Sequence, residues 1–182
     1  MAHERTDSYL KDSISLFQYN KKLGENAMAQ CPDSGLLALL DEQSNSIATI
    51  VKHLSGNMIS RWTDFLTTDG EKPTRNRDEE FENPPKTRAE ILDLWDAGWK
   101  CVFTGLEKLS DADLTKTVTI RGEEHSVMQA INRQLAHCTY HIGQIVVLAR
   151  HYAGANWKTL TVPKNKSKEF NADVASGKKS QR

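Results

Sequence analysis

Apolar residues recur at helical spacing in four stretches, separated by prolines and polar runs. Leu10, Ile14, Phe17, Gly24 and Met28 share one stripe and predict a first helix from about Ser8 to Ala29, closed by Cys31-Pro32-Asp33-Ser34-Gly35. Ile47, Ile50, Val51, Leu54, Met58, Trp62 and Phe65 keep i, i+3, i+4, i+7 spacing. They predict a second helix over about Asn45 to Leu66, with Asn45 as its N-cap and Leu36 to Leu40 as a short lead-in turn. Ile91, Leu92, Trp95, Trp99, Val102, Phe103, Leu106 and Leu109 form the face of a third helix beginning near Pro85, a favoured first-turn residue. Ser126, with Gln129 three residues on, makes a capping box for a fourth helix that runs to about Tyr152 and ends before Gly154.

The segments between differ in character. Thr67 to Pro84 is too charged and too rich in Pro and Gly for a core element. TKTVTIRGEE alternates, predicting a small hairpin around Arg121-Gly122. From Ala155 the chain turns polar, with Trp157, Leu160, Val162 and Phe170 able to tack it to the body. The last residues, NADVASGKKSQR, read as disordered. The expectation is an all-α fold: a four-helix bundle over 1–154 and a polar, partly disordered tail over 155–182. The connector between the second and third helices reaches about 60 Å when extended, enough to cross the bundle and leave those helices parallel.

Charge narrows the partners. The chain carries 24 Lys+Arg against 24 Asp+Glu, a formal net charge of zero, which argues against nucleic acid and an anionic membrane surface. No run of eighteen apolar residues occurs, and the first fifteen or so lack the apolar stretch of a secretory leader. Three cysteines, odd in number and far apart, fit a reduced cytoplasmic protein without a disulfide framework.

The candidate chemistry lies in histidines. Of six, His137 and His141 stand at i, i+4 on the fourth helix and share a face. On a helical projection they lie at the edge of the apolar face, and His53 holds the same edge position on the second helix. Three imidazoles at such edges can converge on one divalent metal and leave a fourth position for water or substrate. Three unrelated, half-buried histidines fit the same residues. His151 is too far along the helix, His125 precedes the Ser126 cap, and His3 lies in the terminus. There is no H-E-x-x-H, no pair of Glu-x-x-His segments, no phosphate loop and no G-x-S-x-G.

His53 within VKHLSGNMISRW and the pair within HCTYHIGQI give the chain a resemblance, over about residues 8–153, to the DinB-like superfamily of metal-binding four-helix bundles. DEQSNSIATIVKHLSGNMISRWTDFLTTDGEKP, RNRDEEF and WKTLTVPKNKSKEFN bring it closer to a branch named only as a domain of unknown function. The resemblance implies an up-down-down-up bundle, a zinc, nickel or similar divalent ion on His53, His137 and His141, and a homodimer. It also implies transfer or isomerisation of a small electrophilic substrate with a low-molecular-weight thiol.

Neighbouring residues carry two readings each. Asn57 and Gln134, one turn from a histidine, either orient ligands and substrate or form a solvated polar edge. Arg75 and Arg77, in Arg75-Asn76-Arg77-Asp78-Glu79-Glu80, either grip a carboxylate or belong to a solvated charge run. Tyr140 is an acid, a lid or simply exposed. Cys138 points to the core as an inert thiol, or serves as ligand or nucleophile; Cys101 reads likewise. Trp95 and Trp99 read as core. A metal-dependent hydrolase is the alternative reaction, but it needs a general base, and Asp64, the one carboxylate on the histidine edges, lies about 16 Å from His53. A non-catalytic metal-binding dimer is the third reading.

Overall fold

The computed structural model describes residues 5–180. Helix α1 spans Tyr9–Gln30, opened by Ser8, whose side chain accepts from the Lys11 amide. A short α2, Asp33–Leu37, follows the break at Pro32. Helix α3 spans Ile47–Trp62. Its N-cap is Ser46 rather than Asn45: the Ser46 hydroxyl accepts from the Thr49 amide and lies 3.0 Å from the Thr49 hydroxyl, satisfying the first turn from within. The helix also stops four residues short of Leu66, because Thr63 turns extended and Asp64 takes a positive φ of 45°.

Helix α4 spans Arg88–Leu106. Pro84 and Pro85 stay outside it. Thr87 and Glu90 form a capping box, with the Glu90 carboxylate accepting from the Lys86 and Thr87 amides, so the first helical residue stands three positions after Pro85. Strands β1, Thr117–Ile120, and β2, Glu123–Ser126, pair antiparallel with Ile120 opposite Glu123. Arg121 and Gly122 both take positive φ, 57° and 78°, the backbone of a type I′ hairpin turn. Helix α5 spans Val127–Ala153 and begins with the capping box of Ser126 and Gln129.

Helix α3 packs on α4, α1 on α5, α3 on α5 and α1 on α4, around one apolar core. Trp95 and Trp99 are fully buried in it, and Phe17 meets Trp99 and Trp62 edge-on at 6.2 and 6.3 Å. Contact between α3 and α4 is close at Gly98, where a Cβ would lie 2.9 Å from the Ser55 Cα. Among the described residues no helix is long and apolar enough to cross a membrane.

The polar segments are more ordered than their composition suggests. The connector 63–87 folds back over α3. Lys52 donates to the carbonyls of Glu79 and Glu82 at 2.6 Å each, the Gly70 amide donates to the Thr119 carbonyl, and the Asp69 carboxylate accepts from the Arg121 and Gly122 amides of the hairpin. In the tail, Gln30 and the Lys158 backbone exchange two hydrogen bonds. Residues read as disordered contribute to a helix, α6, Ser167–Ala175, none of whose residues is buried; Asp173 there is paired to Lys179 at 2.8 Å.

Candidate metal centre

His53 lies in the middle of α3, buried beneath the connector, while His137 and His141 project from successive turns of α5. One ring nitrogen from each lies within 4.8 Å of the others. His53 Nε2 and His137 Nε2 are 3.2 Å apart. Two nitrogens bound tetrahedrally at about 2.0–2.1 Å would stand about 3.3 Å apart, so this pair already holds the spacing of two ligands.

Each ring is oriented from outside. His53 Nδ1 lies 2.8 Å from Glu80 Oε2, and its ring stacks on Phe81 at 4.8 Å. His141 Nδ1 lies 2.8 Å from Gln144 Oε1. A carboxylate and an amide oxygen can only accept, so Nδ1 of His53 and of His141 donates, and in a neutral ring the Nε2 lone pair then faces inward. His137 has its Nδ1 buried without a partner among the described residues. Burial, then the charges of His141 and His53, push the His137 imidazole down to about 3, and burial lowers His141 as well. Neutral imidazoles with inward lone pairs are the donor set that borderline divalent ions take.

Glu80 was not legible as a site residue. It sits in a single 3-10 turn, Asp78–Glu80, within the charged run. Its side chain is 7% exposed, and Arg75 grips it in a fork, Nε to Oε1 at 2.7 Å and Nη2 to Oε2 at 2.9 Å. Burial would raise the Glu80 carboxyl, but the hydrogen bonds from His53 and Arg75 outweigh it and hold it below the usual range. Gly56 makes room, since a Cβ there would overlap the carboxylate. Arg75 also reaches Glu71, which Arg61 and Arg121 hold at 2.7 and 3.0 Å. The reading of this stretch as a solvated charge run therefore fails at Arg75 and Glu80, which are interior because they neutralise each other. It holds for Arg77, which is half exposed, lies 3.7 Å from an open Asp78 and covers the Phe81 ring.

The histidines open onto a cavity of about 430 Å³ between α3, α5, the connector and the hairpin. Asn57 and Gln134 line it and are buried, not a solvated edge; Gln134 donates to Cys138 Sγ at 3.2 Å. Tyr140 is 64% exposed at its rim and meets His141 edge-on. Trp62, Phe65, Val118 and Ile120 form an apolar wall. Cys138 is fully buried in the core, its thiol pushed up to about 12 by burial, so it is neither ligand nor nucleophile. His125 lies on β2, His151 near the far end of α5, both outside the cluster; His3 lies outside the described residues.

A family model described as "Protein of unknown function (DUF1572)" matches residues 4–166. No curated protein and no solved structure matches the chain.

Proposed function

The chain belongs to the DUF1572 family, and from its site we propose a divalent-metal protein that uses a low-molecular-weight thiol on a small electrophile, by transfer or isomerisation. The observation that carries this reading is the convergence of His53, His137 and His141, with Glu80 and Gln144 setting two of the rings, at the floor of an open cavity. The resemblance to the DinB-like superfamily agrees with it. So does the closed cycle of contacts α1–α5–α3–α4–α1, which an up-down-down-up four-helix bundle would produce.

Zinc and nickel suit three neutral imidazoles, and either ion would lower the pKa of a thiol bound beside it, supplying a thiolate at neutral pH. The chain supplies the rest. Glu80 keeps the proton of His53 on Nδ1, the apolar wall excludes water, and Asn57, Gln134 and Tyr140 line the space where a substrate would lie. Hydrolysis fits less well, because no carboxylate lines the cavity among the described residues and both Glu80 oxygens are committed to His53 and Arg75. A purely structural metal would not need such an opening. The homodimer that the resemblance implies would cover exposed Leu39, Leu40 and Val147.

Metal analysis of purified protein tests the core of the reading. About one divalent ion per chain is expected, with His53→Ala, His137→Ala and His141→Ala each losing it. Absence of affinity in the native chain, or unchanged content in the variants, sinks it. Thiol-dependent turnover of electrophiles, with and without metal, then separates the enzyme from a metal-binding dimer.

A further inference from the structure

Five arginines line the cavity that holds the three histidines: Arg61, Arg75, Arg77, Arg121 and Arg133. Two are neutralised by buried or half-buried carboxylates. Arg75 is forked onto Glu80, and Arg61 is paired with Glu71 at 2.7 Å. Arg121 shares the same Glu71 oxygen through Nε alone, leaving its other nitrogens free of it. Asp78, which stands 3.7 Å from Arg77, is 97% exposed and screens it weakly. Arg133 has no hydrogen bond or ion pair among the described residues. Asp69, beside the hairpin turn, is committed to the amides of Glu71, Arg121 and Gly122. The cavity thus holds an excess of guanidinium charge although the whole chain sums to zero.

That excess is placed, not scattered. Arg133 stands four residues before His137 on α5, one turn along the same face. Arg121 projects from the hairpin turn and Arg77 from the connector, so three elements present a guanidinium to one space. Trp62, Phe65, Val118 and Ile120 line the same space. A cleft with like charges and apolar walls attracts an anion with an apolar body, because guanidiniums bind planar or tetrahedral oxyanions in forks and the walls cover the body.

We propose that this cavity binds a small organic oxyanion, a carboxylate or phosphate ester on an apolar body, through Arg133, Arg121 and Arg77. This names the substrate class of the site proposed above and rests on that reading for its chemistry, but the anion grip itself belongs to the arginines and needs no metal.

The test is calorimetric titration of full-length, metal-stripped protein with benzoate, phenyl phosphate and, as neutral partner, benzyl alcohol. At least one anion should bind, the alcohol at least about tenfold more weakly, and the preference should fade between about 50 and about 500 mM NaCl. Arg133→Ala and Arg77→Ala, both at exposed positions, should each weaken the anion by about tenfold, and Arg133→Lys should recover part of it. The tighter of benzoate and phenyl phosphate identifies the oxyanion. Binding of neither anion, equal binding of the alcohol, or indifference to both arginine changes overturns the inference. Metal uptake is measured separately, by titrating portions of the same stripped protein with zinc and nickel. Anion binding by a chain that takes no metal leaves this inference standing and removes the proposed function; metal uptake without anion binding does the reverse.

Discussion

Glu80 Oε2 lies 2.8 Å from His53 Nδ1, across 27 positions of sequence, and Arg75 holds the carboxylate there from the other side. The connector thereby sets the tautomer of a histidine on a different element.

Glu80→Gln should weaken metal binding by about 10- to 100-fold while helix content stays constant, because the amide can still accept from His53 but no longer carries the charge or the Arg75 fork. Competition with a chromogenic chelator, alongside circular dichroism, measures both. Unchanged affinity would reduce Glu80 to a packing residue.

Gly98→Ala should destabilise the fold by about 1–3 kcal/mol, since the new Cβ would press on the Ser55 backbone and separate α3 from α4. Gly143→Ala is the internal contrast. It is exposed on α5, nothing lies within 4 Å of its Cβ position, and the change should stabilise by about 0.5–1 kcal/mol. Urea unfolding of the two variants should move in opposite directions.

Acid should loosen the connector through Glu71. Burial by itself would raise this carboxyl, but hydrogen bonds from Arg61 and Arg121 and the charges of Arg75 and Arg61 leave it below its ordinary 4.5. The unfolded chain therefore binds more protons between the two values. The stabilisation is fully present above about pH 4.5 and disappears as pH falls through the folded-state value. The urea midpoint should begin to fall as pH drops below about 4.5, and Glu71→Gln should make that dependence shallower.

Thiol reactivity should rank the cysteines. Cys138 is fully buried with its thiol pushed up to about 12, and Cys31 is buried and raised by burial. Cys101 is partly exposed, its Sγ near Thr63 Oγ1. Iodoacetamide should label Cys101 first, with Cys138 reacting only on unfolding. Rapid labelling of Cys138 in folded protein would contradict its place in the core.

The histidine positions were legible because helical periodicity alone places His53, His137 and His141 at the edges of apolar faces, and the capping box at Ser126 and the hairpin turn at Arg121-Gly122 are local patterns. Glu80 was not, since nothing in Asp78-Glu79-Glu80 says which carboxylate turns inward. That depends on Lys52 binding the backbone around it and on Gly56 leaving space. Boundaries slipped where two chemistries competed, as with Ser46 against Asn45 and the Thr87 capping box against Pro85. Net charge likewise hid the arginines of the cavity, because a sum carries no positions.

The anchorage of the connector has a consequence for how the site could fail. Of residues 66–87 only Gly70 and Glu80 are buried, so the segment is held by Lys52, Arg75 and Asp69 rather than by a share of the core. Such a stretch opens at a lower free energy than the helices beneath it. Its amides should exchange with deuterium before those of α3 or α5, and a ligand that favours the docked form should slow them. The grip of the three histidines would then be governed by a segment less durable than the helices that carry them, and could be released without melting the rest.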